Sequence, residues 1–158
     1  MKILPLGADG QVGWSLRSTL APLGELQIAT RHDCDLADAD ALRRLLRRAR
    51  YDVLVNAAAY TAVDRAEGEP ELAFRINAAA PEVMAQVAAE SAALLVHYST
   101  DYVFPGAGDA PYTETALTGP LSVYGQSKLA GEEAIRQARA AALVFRTSWV
   151  FGAHGRIL

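Results

Sequence analysis

Tyr124 and Lys128 stand four residues apart in Tyr124-Gly125-Gln126-Ser127-Lys128. On a helix that spacing puts a phenol and an ammonium on one face, about one turn apart. A free tyrosine titrates near pH 10, and a neighbouring ammonium favours the phenolate. A drop of about 2 units is roughly 2.7 kcal/mol of differential stabilisation. The expectation is a phenol acidified by Lys128, which donates a proton to a carbonyl being reduced or takes one from an alcohol being oxidised. Thr100, in Ser99-Thr100-Asp101-Tyr102-Val103-Phe104, closes an apolar run with a hydroxyl suited to polarising that carbonyl. A Tyr-x-x-x-Lys pair also arises by chance, and a strand-end threonine equally well caps a turn. The chemistry requires a redox cofactor beside them.

Gly7-Ala8-Asp9-Gly10-Gln11-Val12-Gly13 has the composition of a cofactor site. Gly7 permits a tight turn, Gly10 lets backbone approach a pyrophosphate, and Gly13 lets a helix pack closely on a sheet. The N-terminus of that helix then offers N–H groups and partial positive charge to phosphates. A glycine turn elsewhere would be structural, but at the first strand–helix junction it reads as dinucleotide binding. The ribose 2′-hydroxyl reader is expected about 20 residues on, as an Asp or Glu. This chain has Thr30-Arg31-His32 there. A carboxylate repels a 2′-phosphate and a guanidinium attracts one, so NADPH is expected over NADH, with Arg31 as the discriminating residue. The plainer alternative makes Arg31 an ordinary surface residue. Asp35 and Leu36 follow as adenine contacts, and the small side chains of Asn56-Ala57-Ala58-Ala59 let a cofactor lie against backbone.

The elements that must position these residues alternate. Apolar runs at 3–6, 26–29, 51–59, 94–100 and 143–150 predict strands. Helices are expected over 11–23, from Asp38 or Asp40 to 50, over 71–93 with Pro81 opening a new segment, and from 122 or 123 to 141. Gly24 is expected to close the first helix, and residues 105–120, rich in Gly, Pro, Asp and Thr, to form a loop. Such alternation predicts an α/β, doubly wound, Rossmann-like parallel sheet covered on both faces, with strand order 3-2-1-4-5. The ligand crevice should lie at the carboxyl ends of the strands.

Composition narrows the function classes. The chain has 158 residues, 51% of them hydrophobic and 21% charged, with a net charge of −3. So apolar a chain offsets its ordering entropy, which excludes disorder as its main state. A domain of this size buries roughly two-thirds of its unfolded surface and needs no disulfide or metal staple. The single cysteine, Cys34, cannot form an internal disulfide, which fits a reducing compartment. A net negative charge argues against nucleic acid as partner. Arg43, Arg44, Arg47, Arg48 and Arg50 read as the solvated face of an amphipathic helix. The first apolar run is too short for a signal peptide or a membrane span, so a cytoplasmic protein with no membrane partner is expected.

In combination, five segments resemble the dTDP-4-dehydrorhamnose reductase family of the extended short-chain dehydrogenase/reductases. They are Gly7 to Trp14, Asn56-Ala-Ala-Ala-Tyr-Thr-Ala-Val-Asp64, His97-Tyr-Ser-Thr-Asp-Tyr-Val-Phe104, Tyr124-Gly-Gln-Ser-Lys-Leu-Ala-Gly-Glu132 and Phe145-Arg-Thr-Ser-Trp149. The resemblance spans essentially the whole chain in order. It implies hydride delivery from NAD(P)H to C4 of dTDP-4-dehydro-L-rhamnose, giving dTDP-L-rhamnose for cell-surface polysaccharide such as lipopolysaccharide. It implies Tyr124 as proton donor, Lys128 as its acidifier and ribose contact, and Thr100 as keto-oxygen ligand. Thr100, Asp101 and Trp149 match substrate positions; Gly10, Gln11, Val12, Asp35, Leu36, Ala59, Tyr60, Thr61, Tyr98 and Lys128 match cofactor positions. Related dehydratases carry an Asp-Glu pair after the strand-end threonine; Tyr102 stands where that Glu would be, which favours ketone reduction.

Family members are about twice this long, and their second half holds most of the sugar pocket and magnesium-linked homodimer contacts. The resemblance therefore implies that residues 1–158 are a cofactor domain separated from its substrate domain, with no metal expected here and weak or absent turnover. Rival readings are a non-catalytic subunit like the regulator of methionine adenosyltransferase, and a reductase or epimerase for another nucleotide sugar. Intact Thr100, Tyr124 and Lys128 favour catalysis over the first.

Overall fold

The computed structural model describes residues 1–107, 110–152 and 154; part of the expected 105–120 loop lies outside them. Five parallel strands form one sheet: β1 (Lys2–Leu6), β2 (Glu25–Leu26), β3 (Val53–Asn56), β4 (Leu94–Thr100) and β5 (Ala142–Thr147). The class is the expected doubly wound α/β one. The order is 2-1-3-4-5, not 3-2-1-4-5, so β3 lies on the opposite side of β1 from its expected place. The burial of each strand explains this. β2 pairs over two residues and is only partly buried, so it is fit for an edge; a further bridge joins Leu6 to Ala29. Leu54, Val55 and Asn56 of β3 are buried and need neighbours on both sides, which β1 and β4 supply.

The crossovers set the layers. α1 (Gln11–Leu20) links β1 to β2, while α2 (Ala39–Arg48), α5 (Ala80–Glu90) and α6 (Val123–Gln137) serve the crossovers that advance the other way along the sheet. Right-handed connection then puts α1 on one face and the other three on the opposite face. That second face carries the main core, where Leu4, Leu6, Leu42, Leu46, Leu54, Met84 and Leu95 are buried together. The expectation of a sheet covered on both faces therefore holds only at the β1 end of the α1 side. Leu143 and Phe145 of β5 are about half exposed.

Local chemistry sets the helix ends. Asp38 caps α2 by accepting from Ala41 N–H, and Ser122 caps α6 by accepting from Gly125 N–H. The first helix closes through a 3₁₀ turn, Ala21–Leu23, before Gly24. The expected 71–93 helix is three pieces after a short α3 (Val63–Ala66): α4 (Pro70–Phe74), a single π turn at Arg75–Ala79, and α5. Arg43 of α2 donates to Gln86 and Arg47 bridges Glu90 in two bonds of 3.0 and 3.1 Å, bracing α2 on α5; Arg44 and Arg48 of α2, and Arg50 beyond its end, are exposed. Among the described residues no helix is long and apolar enough to cross a membrane.

Candidate active site

The glycine turn forms as its spacing predicts. Gly7 has φ +75°, in the left-handed region, and a Cβ on it would lie 2.7 Å from the Ala58 side chain. Gly10 donates to Gly7 O at 3.0 Å and starts α1, which has no side-chain cap and no acidic residue in its first turn. Gln11, Val12 and the buried Gly13 form that first turn. Polarity and geometry there suit an anion. A Cβ at Gly13 would stand 2.1 Å from Gly7 O, a backbone atom with no rotamer to yield. Gly13→Ala is therefore expected to destabilise the domain by about 2–3 kcal/mol and to open the turn. A melting curve and NADPH calorimetry check this, and unchanged values in both would show that the turn tolerates the methyl group.

Beside the turn lies a cavity of about 140 Å³ lined by Gly7, Arg31, Asp35, Leu36 and Ala59, five positions singled out from sequence, together with Leu6, Ala29, Thr30, Cys34, Ala58 and Ile76. Asp33 holds the loop above it, accepting from Thr30 N–H at 2.8 Å and from the Thr30 hydroxyl at 2.9 Å. Those bonds hold the Asp33 carboxyl below its usual range. Arg31 is almost fully exposed and reaches Asp35 only at 4.0 Å, so its guanidinium is held weakly.

The register aligns Leu6 with Asn56 and Asn56 with His97, so the glycine turn and the end of β4 share one edge of the sheet. α6 lies across that edge. Lys128 is 1% exposed and its Nζ donates to Tyr98 O at 2.6 Å. Burial pushes the Lys128 ammonium down to about 8. Tyr124 is half-buried, its ring edge-on to Tyr102 at 5.6 Å. Burial pushes its phenol up, against an opposing hydrogen bond with Thr100, and the neighbouring Asp101 and Tyr102 push it further. This corrects the expectation of a phenol acidified by Lys128. The two residues do share a helix face, but the long lysine side chain ends at the Tyr98 carbonyl, while the phenol turns to Thr100 at the strand end.

Thr100 is buried and accepts from Tyr102 N–H at 3.2 Å, and its hydroxyl donates to Asp101 at 3.2 Å. Asp101 accepts from Ser148 at 2.7 Å, which ties the ends of β4 and β5 together. Trp149, next along, is 79% exposed with φ +49°, strained for a bulky side chain and presented to solvent. Tyr60 and Thr61 follow β3. The Tyr60 phenol is bound to Glu69 at 2.8 Å, while the Tyr60 backbone pairs with Asn77 in both directions. Tyr98 contributes its carbonyl to Lys128 and packs its ring on Phe145 at 5.9 Å.

Beneath this edge lie polar groups to whose side chains the sequence reading assigns no hydrogen-bonding role, Asn56 being read only as part of a small-residue strand end. Asn56 and His97 are 1% exposed and joined by a 2.9 Å bond. Asn77, in the π turn, donates to Ser127 on α6 at 3.0 Å. Glu132 is 4% exposed and binds Ser99 and Arg146. The available signal is a polar residue inside an apolar strand run: Asn56 closes Val-Leu-Val-Asn and His97 interrupts Leu-Leu-Val-His.

Comparison with known proteins adds an independent line. The family model described as RmlD substrate binding domain matches residues 1–158. The chain is 50% identical to the dTDP-4-dehydrorhamnose reductase of Salmonella typhimurium, over 98% of this chain and 53% of the relative. It is 48% identical to that of Burkholderia thailandensis, over 99% of this chain and 52% of the relative. The solved dTDP-4-dehydrorhamnose reductase of Bacillus anthracis, a complex with NADP, superposes with a TM-score of 0.93 at 33% identity, over 98% of this chain and 56% of that one. The chain thus spans about half the length of the curated relatives it matches.

Proposed function

The chain belongs to the RmlD substrate binding domain family, and on that footing we propose that it is the cofactor-binding, proton-donating half of a reductase that converts dTDP-4-dehydro-L-rhamnose to dTDP-L-rhamnose with NADPH. The observation that carries this reading is the meeting of Thr100, Tyr124 and Lys128 at the sheet edge that also bears the glycine turn. Domain 1–158 holds the cofactor, and the pocket that reads the sugar lies in the other half of such a protein, with any magnesium-linked dimer contacts.

The residues fit a dinucleotide. The uncapped start of α1 suits the pyrophosphate, and the cavity by Gly7, Leu36 and Ala59 suits the adenosine. Arg31 would be the residue that holds a 2′-phosphate, and the NADP complex of the Bacillus anthracis reductase supports NADPH as the partner. When bound, the reduced nicotinamide supplies the hydride. The Thr100 hydroxyl, which donates to Asp101 here, would turn with the Tyr124 hydroxyl to the keto oxygen of a bound substrate. As that oxygen gains negative charge, Tyr124 Oη gives it a proton, leaving an alcohol and a phenolate that recovers its proton from water. A phenol pushed up by burial keeps its proton at neutral pH, which is the form a donor needs. Lys128, charged below about 8, would be the residue that hydrogen-bonds the cofactor ribose.

The test uses the full-length protein with dTDP-4-dehydro-L-rhamnose while nicotinamide absorbance is followed. Oxidation of NADPH matched to sugar reduction is expected; no oxidation of NADPH or NADH rejects the reading. Arg31→Asp is expected to weaken NADPH by about tenfold, worth about 1.4 kcal/mol, and to spare NADH. Equal NADPH affinity before and after would remove Arg31 from the selection.

A further inference from the structure

Asn56, His97 and Lys128 form a buried line across β3, β4 and α6 whose hydrogen-bond directions are over-determined. Asn56 Oδ1 accepts from Ala58 N–H at 3.1 Å, so its amide cannot be turned round without setting an NH₂ against an N–H. The Asn56 Nδ2 donor therefore faces His97 Nδ1 at 2.9 Å, and Nδ1 must accept. A neutral imidazole then carries its proton on Nε2, and that nitrogen lies 3.5 Å from Lys128 Nζ. Toward an ammonium, Nε2–H offers donor against donor. Toward a neutral amine it offers a proton to the nitrogen lone pair.

We propose that His97 is a positioning residue that shapes the Lys128 site for the neutral amine, with Asn56 locking the imidazole proton onto Nε2. The proposal rests on the reading of Lys128 as part of a reductase site and adds the control of its charge. Burial and the nearby ammonium hold His97 well below its usual range, so the ring stays neutral, as the lock requires. Other polar and charged groups surround Lys128. On α6, Tyr124 lies one turn before it and Glu132 one turn after. Glu132 favours the ammonium, but its carboxylate is engaged by Arg146 of β5 and Ser99 of β4. The Tyr98 carbonyl accepts from Nζ without supplying a full charge. With burial dominant, the lysine is charged below about 8 and neutral above it. Cofactor affinity and turnover that depend on its charge should fall as pH rises through that value.

The experiment is nitrogen-15 NMR of the His97 ring in the unmodified chain, together with carbon-13 titration of the Lys128 Cε. The expected result is a neutral ring with Nε2 protonated and Nδ1 bare from about pH 5 to 9, and a lysine midpoint near 8. A proton on Nδ1, a doubly protonated ring, or a lysine midpoint at the ordinary value near 10.4 would overturn the proposal. Asn56→Leu removes the donor facing Nδ1 without adding a charge, which frees the proton to move to Nδ1 and the Nε2 lone pair to face the ammonium. The lysine midpoint is then expected to rise by about one unit or more; a fixed or lowered midpoint in a folded variant would also overturn it. A misfolded variant leaves the spectra of the unmodified chain to decide. None of these readouts needs substrate or cofactor, so loss of the reductase reading is recognised separately, by the NADPH assay.

Discussion

Tyr124→Phe in the full-length protein is expected to lower kcat by about 10²–10⁴-fold while leaving the melting temperature and NADPH affinity nearly unchanged. The substitution removes one oxygen. The ring keeps its edge contact with Tyr102, and Thr100 stays pinned at the strand end by its bonds to Tyr102 N–H and Asp101. Lys128 stays on Tyr98 O, because the phenol is not its partner. The phenol is desolvated on burial, so losing its hydroxyl costs the fold little. The rate loss corresponds to about 2.7–5.5 kcal/mol of transition-state stabilisation, the scale of a missing proton donor rather than of a loosened pocket. An unchanged kcat would remove Tyr124 from the reaction and leave Thr100 and Lys128 as binding groups. A fall in kcat accompanied by a lower melting temperature would instead mark Tyr124 as a packing residue.

Glu132→Ala should be the most destabilising of the substitutions considered, by about 3 kcal/mol. Glu132 is 4% exposed, and Arg146 reaches it by three contacts of 3.0, 3.2 and 2.6 Å while Ser99 donates to the same carboxylate. Alanine leaves a guanidinium and a hydroxyl without their acceptor beneath the sheet edge. The Arg146 side chain is 21% exposed and stacks over Phe104 at 4.8 Å, so water and the ring recover part of the loss. That keeps the expected cost at the lower end of the range for a broken buried pair. At this chain length the change lowers the melting temperature by about 6–12 °C. Glu132→Gln, which keeps an acceptor for one partner, should fall between. A melting temperature within a degree or so of the parent would show that the pair contributes nothing net, as many ion pairs do.

Much of the candidate site was legible in the sequence. Gly7, Gly10 and Gly13 have no other economical reading at a strand–helix junction, and the structure places a positive φ and a 2.1 Å approach where the spacing required them. The cavity residues Arg31, Asp35, Leu36 and Ala59 are adjacent along short connections, so local reading reached them. The strand order was not legible. A two-residue β2 leaves almost no signal, and whether β3 falls beyond it or beside β1 depends on which strands need two neighbours. The break of the long helix at Arg75–Ala79 was equally hidden, since it accompanies Asn77 reaching across to the Tyr60 backbone and to Ser127, partners 17 and 50 residues distant.

By itself the sequence determined which groups arrive at the edge: a phenol and an ammonium one helical turn apart, a hydroxyl at a strand end, and a turn stripped of side chains. These follow from short-range spacing, which helix and strand periodicity convert directly into position. The tertiary structure alone decided what state those groups are in. Burial beneath α6 raises the phenol and lowers the ammonium, and the tautomer of His97 is fixed by Asn56 on the neighbouring strand. Protonation depends on solvent exclusion and on partners brought together from 31 and 41 positions away, as His97 is to Lys128 and to Asn56. No local pattern in the chain encodes either.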